Sequence, residues 1–415
     1  MDQLSITPSG LQCEGVSLSR LAEVYGTPLF FYSWQAIADR FDRFTKAFAS
    51  KNHRVCFAVK AASNIALLHR LTKLGAGFDI VSVGELERVL KAGCPPERIV
   101  FSGVGKTTAE MVRALSAGIG CFNIESIAEL EELDLVARQM GLKAPAALRV
   151  NPNIQIDSHP YLCTGASQNK FGVPINQSES VYQDMLHMTG IEPIGLDCHI
   201  GSQMLSLGAF DQACQELATL TRNLLTSGIP LQHVDVGGGL GIAYTDNDDA
   251  PSIENFVQTA VNAFEDIDIQ LLIEPGRSLI GPAGGLLTKV IRLKSGEAQH
   301  QFAIVDAAMT DLLRPALYGA VHPIRTVENA SAPVSTWQIV GPVCESADVL
   351  GKDRNLAIED GSLLLIENTG AYGFVMSSEY NSRPRPPEIL LEKGEAFCIR
   401  PRQTPADLFA QECIL

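Results

Sequence analysis

Between residues 56 and 277 the chain alternates two textures: short runs rich in β-branched and aromatic residues, and longer stretches with helical spacing. Eight such runs occur in order: CFAVK (56–60), GFDIVS (77–82), RIVFSG (98–103), GCFNIES (120–126), ALRVNP (147–152), GLDCHIG (195–201), HVDVGGG (233–239) and LLIEPGR (271–277). Between them, apolar residues recur on one helical face. Residues 63–74 carry Leu67, Leu68, Leu71 and Leu74 and stop at Gly75; residues 126–141 carry Leu130, Leu133 and Val136 and stop at Gly141. Strands alternating with amphipathic helices require a parallel sheet covered on its outside, and eight units predict a (β/α)8 barrel. A helix from residue 34 to about residue 50 precedes the first strand.

After residue 278 the helices drop out. GLLTKVIRLKS, QFAIVDAA, VSTWQIVGPV, SLLLIENTG and EILLEKGEAFCIR follow one another as strands joined by loops. The fold class expected is therefore α/β plus β. A barrel spans 31–279, and a mostly β domain is built from 280–415 together with the short β-like pieces of 1–30. A chain of 415 residues accommodates two cores. Its formal net charge of −15 speaks against a nucleic-acid or anionic-membrane surface. The uncharged run 329–344 is too short and too rich in Pro, Ser and Thr to span a bilayer. MDQLSITPSG has neither the basic nor the apolar region of a secretory leader. Ten singly scattered cysteines without a CxxC pair suit reduced thiols and no metal centre, so a cytoplasmic enzyme is expected.

Polar residues gather at the C-terminal ends of the eight runs: Lys60, Asp79, Ser102, Arg149, His199, Gly237, Gly238, Gly239, Glu274 and Arg277. In a barrel those ends form one mouth, where active sites are built. A lysine held there is partly desolvated, which favours an amine nucleophilic toward aldehydes; position alone leaves open a surface lysine with its stem laid on apolar neighbours. The glycines of HVDVGGGLG can wrap an oxyanion with backbone N–H groups, or simply make a tight turn. EPGR adds a second turn with a carboxylate and a guanidinium, and HIGSQ adds a flat imidazole and a hydroxyl. Together these groups suggest pyridoxal phosphate, which needs a lysine, a phosphate cup and an acid for its ring nitrogen. Glu274 is the candidate acid.

Further along, FAVKAASN, FDIVSVGELERVLKAG, RIVFSGVGKT, HIGSQ, DVGGGLGI, EPGRSL, RPALYGAVHPI, GPVCESADVLGKDR and ENTGAYGFVMSSEYN resemble the diaminopimelate decarboxylase family. That family lies within the fold-type III, alanine racemase-like group of pyridoxal phosphate enzymes. The similarity runs from about residue 25 to about residue 385. It implies decarboxylation of meso-diaminopimelate to L-lysine. Lys60 resembles the Schiff-base lysine, and His199 the residue stacked on the cofactor ring. Ser202, Gly239 and the Pro275, Gly276 and Arg277 turn resemble the phosphate cup, Glu274 the pyridinium partner, and Tyr372 the tyrosine reaching cofactor and substrate. Arg277, Arg314, Tyr318 and Glu345 match the family's substrate-binding residues, and Cys344 is placed to return a proton. An arginine suits the distal carboxylate of such a substrate and a glutamate its distal ammonium. Ala62, Val83, Ala308 and Thr310 depart from residues common in the family but only flank matched positions.

The resemblance also implies a homodimer in which the second domain of one subunit completes the barrel mouth of its partner, and a mobile flap at 153–169. Decarboxylases of ornithine, arginine or carboxynorspermidine are the nearest rivals. The first two substrates lack the distal carboxylate that Arg314 would pair. A racemase fits the Cys344–Glu345 segment less well. A non-catalytic relative would be expected to lose Lys60 or Cys344.

Overall fold

Eight parallel strands close on themselves: His53–Ala58, Gly77–Ile80, Ile99–Phe101, Cys121–Ile124, Ala144–Asn151, Ile191–Asp197, His233–Asp235 and Gln270–Ile273. Each pairs with the next, and the ring shuts where Leu271 sits opposite His53. This is the barrel expected from the alternating pattern. The computed structural model that shows it describes residues 1–8, 10–154, 170–245, 247–296, 301–328 and 332–415; the flap expected at 153–169 lies, from residue 155 on, outside the described residues. Cys56, Val100, Cys121, Ala147, Ile194 and Leu272, from six different strands, form one buried cluster.

Five of the helices between the strands start on polar caps. Asn64, Ser82, Thr107, Ser126 and Ser252 each accept a backbone N–H of the first turn, opening Ile65–Lys73, Val83–Lys91, Thr108–Ala117, Ile127–Met140 and Ile253–Ala263. Each such cap stabilises its helix by about 1 kcal/mol. Because the caps sit in strand-to-helix loops, they also fix those loops. Leu67, Leu68 and Leu71 are fully buried as their spacing required, while Leu74 falls just past the helix and is exposed. Gly141 ends its helix with φ 70. The helix expected at 34 to about 50 spans Trp34–Ala47.

Backbone contacts divide the chain into two compact units. One is Arg40–Ile242 with Asp249–Ser278, which holds the barrel; the other is Met1–Asp39, Ala243–Asp248 and Leu279–Leu415. In the second, the long strand Gly284–Ser295 pairs antiparallel with Leu29–Ser33, Gln301–Val305 and Leu363–Ile366. Glu388–Glu392 joins Leu29–Ser33 in parallel and turns back as Glu395–Arg400. Leu11, Leu18, Leu29, Phe31, Leu287, Leu365 and Ile389 pack into its core. Two strands of this unit are absent from the sequence pattern: the short Ile324–Thr326, which pairs antiparallel with Leu363–Ile366, and the longer Val349–Ala357, which pairs antiparallel with Val334–Val340. The longer one, VLGKDRNLA, is mixed in polarity: Leu350, Gly351 and Leu356 are buried, while Lys352, Asp353 and Asn355 between them are exposed. The residues 341–348, with Cys344 and Glu345, therefore form the turn of a β-hairpin.

Candidate active site

The barrel's candidate site residues lie in the loops just past the strands rather than within them. The run CFAVK stops being strand at Ala58, and Lys60 sits on the 3-10 turn Val59–Ala61. His199 and Ser202 follow Ile191–Asp197, the three glycines follow His233–Asp235, and residues 274–277 follow Gln270–Ile273. The loops are laced together by hydrogen bonds. Ala58 N donates to Pro275 O at 3.2 Å, Glu274 N to Gly237 O at 2.8 Å, Cys198 N to Asp235 O at 3.0 Å, and Met204 N to Gly239 O at 2.9 Å. Arg277 Nη2 donates to Ser202 Oγ at 3.1 Å. One end of the barrel thus gathers Lys60, His199, Ser202, Gly239, Glu274, Pro275, Gly276 and Arg277.

Close approach explains the glycines. A Cβ on Gly238 would lie 2.1 Å from Glu274 O, and one on Gly239 would lie 2.2 Å from Gly201 O. Gly239 also has φ 104, a conformation L side chains rarely adopt.

Electrostatically the mouth is crowded with acids. Lys60 Nζ is 2.8 Å from Asp79 Oδ2; the Asp79 side chain is fully buried, and the Lys60 side chain keeps 37% of its surface. The desolvated lysine expected from the sequence is thus an ion pair with a buried carboxylate. Glu274 is pushed well above the usual carboxyl range by burial and then by Asp79, Asp235 and Asp197, against the pull of Lys60. Its Oε1 is buried and has no hydrogen-bond partner among the described residues. His199 is pushed well below its ordinary value by burial, with Arg149 and Lys60 adding to the effect. The backbone N–H of Gly238 donates to His199 Nδ1 at 3.2 Å. The ring is therefore neutral, with its proton on Nε2.

Asp197 and Asp235 were not singled out by the sequence reading. Each stands two residues before a loop residue, His199 and Gly237, and the alternation within GLDCHIG and HVDVGGG is the signal that marks them. Asp235 Oδ1 accepts from Gly237 N at 2.8 Å. Carboxylate oxygens of Asp197, Asp235 and Glu274 lie within 4.8 Å of one another. That spacing could hold a cation, but burial pushes Asp197 up to about 7 and raises Asp235 well above 3.8, so protons on the acids oppose that use.

The remaining expected site residues belong to the second unit. Cys344 and Glu345 are exposed on the hairpin turn. Asp348 braces that turn, accepting from Val343 N at 2.8 Å and Met309 N at 2.6 Å. Arg314 opens the short helix Arg314–Tyr318, which Tyr318 closes. Its buried guanidinium donates to Tyr244 Oη at 2.8 Å and to His322 Nε2 at 3.0 Å, and lies 5.0 Å over the Tyr244 ring. His322 Nδ1 in turn donates to Glu367 O at 2.9 Å, which fixes its tautomer as an acceptor for Arg314. Tyr372 is half-buried with φ 58 in the loop after Leu363–Ile366.

Residues 34–281 match the pyridoxal binding domain of the pyridoxal-dependent decarboxylases. Over 415 residues, 100% of both chains, the sequence is 47% identical to diaminopimelate decarboxylase of Pseudomonas aeruginosa. The chain belongs to the diaminopimelate decarboxylase family. Diaminopimelate decarboxylase of Vibrio cholerae is 45% identical over 417 residues, again 100% of both chains. The solved structure of diaminopimelate decarboxylase from Helicobacter pylori complexed with L-lysine has a TM-score of 0.92 and 39% identity over 95% of this chain and 98% of that one. The M. jannaschii structure, in co-complex with L-lysine, has a TM-score of 0.94 and 35% identity over 100% and 98%.

Membership in this family makes pyridoxal phosphate the cofactor, and the residues of the barrel unit fit it. Glu274 Oε1 is a buried acceptor in need of a donor, which a protonated pyridine nitrogen supplies. Lys60 offers an amine at the mouth, His199 an uncharged ring, and the glycine loop a cradle that a Cβ would fill. Among the described residues no helix is long and apolar enough to cross a membrane.

Proposed function

We propose that the chain removes CO2 from meso-2,6-diaminopimelate to give L-lysine, the closing step of lysine biosynthesis. The observation that carries this reading is the orphaned, buried Glu274 oxygen beside Lys60 and His199, in a chain that matches diaminopimelate decarboxylases from end to end. When bound, pyridoxal phosphate supplies an electron sink for the pair left behind by the departing carboxylate. Lys60, now paired with Asp79, would be the amine that holds the cofactor. Glu274 would face its ring nitrogen and the neutral His199 ring would lie against its ring without adding charge. Ser202, Gly239 and the Pro275–Gly276–Arg277 turn would hold its phosphate.

Substrate choice follows from charge matching. Diaminopimelate carries an ammonium and a carboxylate at its unreactive end. Arg277 and Arg314 suit the carboxylate, Glu345 suits the ammonium, and Tyr318 and Tyr372 line the same substrate. Ornithine and arginine offer the arginines no carboxylate, so the site discriminates against them. Cys344 Sγ then returns a proton to the α-carbon.

The enzyme works as a homodimer with shared active sites. Cys344 and Glu345 are exposed on a single chain, as a turn that serves a second subunit would be, and an isologous interface gives each site the other's turn. Nine described cysteines are free thiols, which supports a cytoplasmic setting. Product analysis of the purified holoenzyme tests the function. L-lysine and CO2 should form from meso-diaminopimelate and not from ornithine; CO2 from ornithine with none from meso-diaminopimelate would refute the specificity.

A further inference from the structure

The segment SSEYN, which closes the ENTGAYGFVMSSEYN motif, has no role in the reading above, yet it touches both members of the Cys344–Glu345 pair. Tyr380 Oη donates to Glu345 Oε1 at 2.6 Å. The neighbouring Asn381 accepts, through Oδ1, the backbone N–H of Cys344 at 3.1 Å. Two adjacent residues thus grip two adjacent residues, one by its carboxylate and the other by its main chain.

The turn that makes this grip is conformationally demanding. Within Tyr380–Ser382, Asn381 has φ 57 and ψ 26, and Ser382 has φ 51. Two successive non-glycine residues in the left-handed region carry strain, and such strain persists where the surroundings need that geometry. Folding of the hairpin turn does not need it. The turn's backbone is already fixed by Asp348 and by Glu345 N donating to Val343 O at 2.8 Å. What Tyr380 adds is the aim of a carboxylate: with Oε1 held, Glu345 Oε2 is left for a ligand.

We propose that Tyr380 and Asn381 are positioning residues for the decarboxylation, Tyr380 setting the rotamer of Glu345 toward the substrate's distal ammonium and Asn381 setting the backbone that carries the Cys344 thiol. This rests on the roles assigned to Cys344 and Glu345 above. A hydrogen bond to a charged group at this position controls binding of the unreactive end, whereas the main-chain bond controls where the proton donor stands.

Steady-state kinetics on holoenzyme variants, with L-lysine affinity by calorimetry as a non-turnover readout, test it. Y380F removes one oxygen; it should raise KM for meso-diaminopimelate roughly tenfold and weaken L-lysine binding in parallel, with kcat within about twofold. N381G keeps the left-handed backbone but drops the amide, and should lower kcat about tenfold with a smaller change in KM. E379Q lies in the same segment, but its carboxylate bonds Gln403 at 2.9 Å, so it should stay near wild type on both constants. In an E345Q background the Y380F effect should vanish. If E345Q raises KM and Y380F does not, the positioning role is wrong while the reading of Glu345 stands. If E345Q itself leaves KM unchanged, both fall. Equal losses in Y380F and E379Q would mark the segment as structural and overturn the proposal.

Discussion

Burial raises the Glu274 carboxyl well above its usual range and depresses the His199 imidazole well below its own, and the two shifts have opposite consequences for stability. A base with a depressed native pKa binds fewer protons folded than unfolded, so His199 costs stability as pH falls below 6.5. An acid with a raised native pKa behaves the other way. Asp197, up from 3.8 to about 7, contributes fully below 3.8, and that contribution is lost as pH rises through about 7. The apoprotein of D197N should therefore show a shallower fall in unfolding midpoint between pH 4 and 7 than wild-type apoprotein. Parallel curves across that window would contradict the assignment. At this scale the sequence shows Lys60, His199 and Glu274 plainly, because each is a polar residue at the end of an apolar run. Asp197 and Asp235 are harder to see. They sit inside the runs, where polarity is the mark of a solvent-facing strand position, and only closure of the barrel turns them inward to meet Glu274. The ion pair between Lys60 and Asp79 was equally illegible, since it joins neighbouring strands whose ends align only in the folded register, Ala58 opposite Asp79.

At the scale of elements, loops just past strand ends hold the candidate site residues, and their glycines answer to packing. Gly239→Ala would place a Cβ 2.2 Å from Gly201 O at φ 104. It should destabilise the protein by about 2 kcal/mol or more and weaken pyridoxal phosphate binding in an absorbance titration. Gly118→Ala is the comparison. That glycine, with φ 74, ends Thr108–Ala117 with no atom near its Cβ position, so the variant should lose only about 1 kcal/mol and bind cofactor as wild type does. Equal cofactor titrations for both variants would contradict the close-approach argument. Helices are legible here because their apolar faces repeat, and because polar N-caps and glycine ends punctuate them, as Ser126 and Gly141 do for Ile127–Met140. The strand Val349–Ala357 is not, because neither alternation nor an apolar run marks an element whose ladder is bulged at Trp337 and Ile339 of its partner.

For the whole molecule, the two domains follow from the change of texture near residue 278, where helical spacing ends. The exchange of chain between the units is less visible. Leu29–Ser33 precedes the barrel in sequence yet pairs with Gly284–Ser295, and Ala243–Asp248 leaves the barrel unit between two of its strands. Pairings so distant in sequence have no local signal. The same holds for the proposed subunit assembly, which rests on the chemistry of the exposed Cys344–Glu345 turn. The central claim, that Lys60 of one chain and Cys344 of its partner act in one decarboxylating site, can be tested by mixing two inactive variants. K60A and C344A subunits are exchanged in equal amounts, hybrid dimers are verified by mass, and L-lysine formed from meso-diaminopimelate is measured. Random pairing makes half the dimers hybrid, each with one intact site, so about a quarter of wild-type activity should return. Hybrid dimers that form and carry cofactor but produce no lysine would contradict the account.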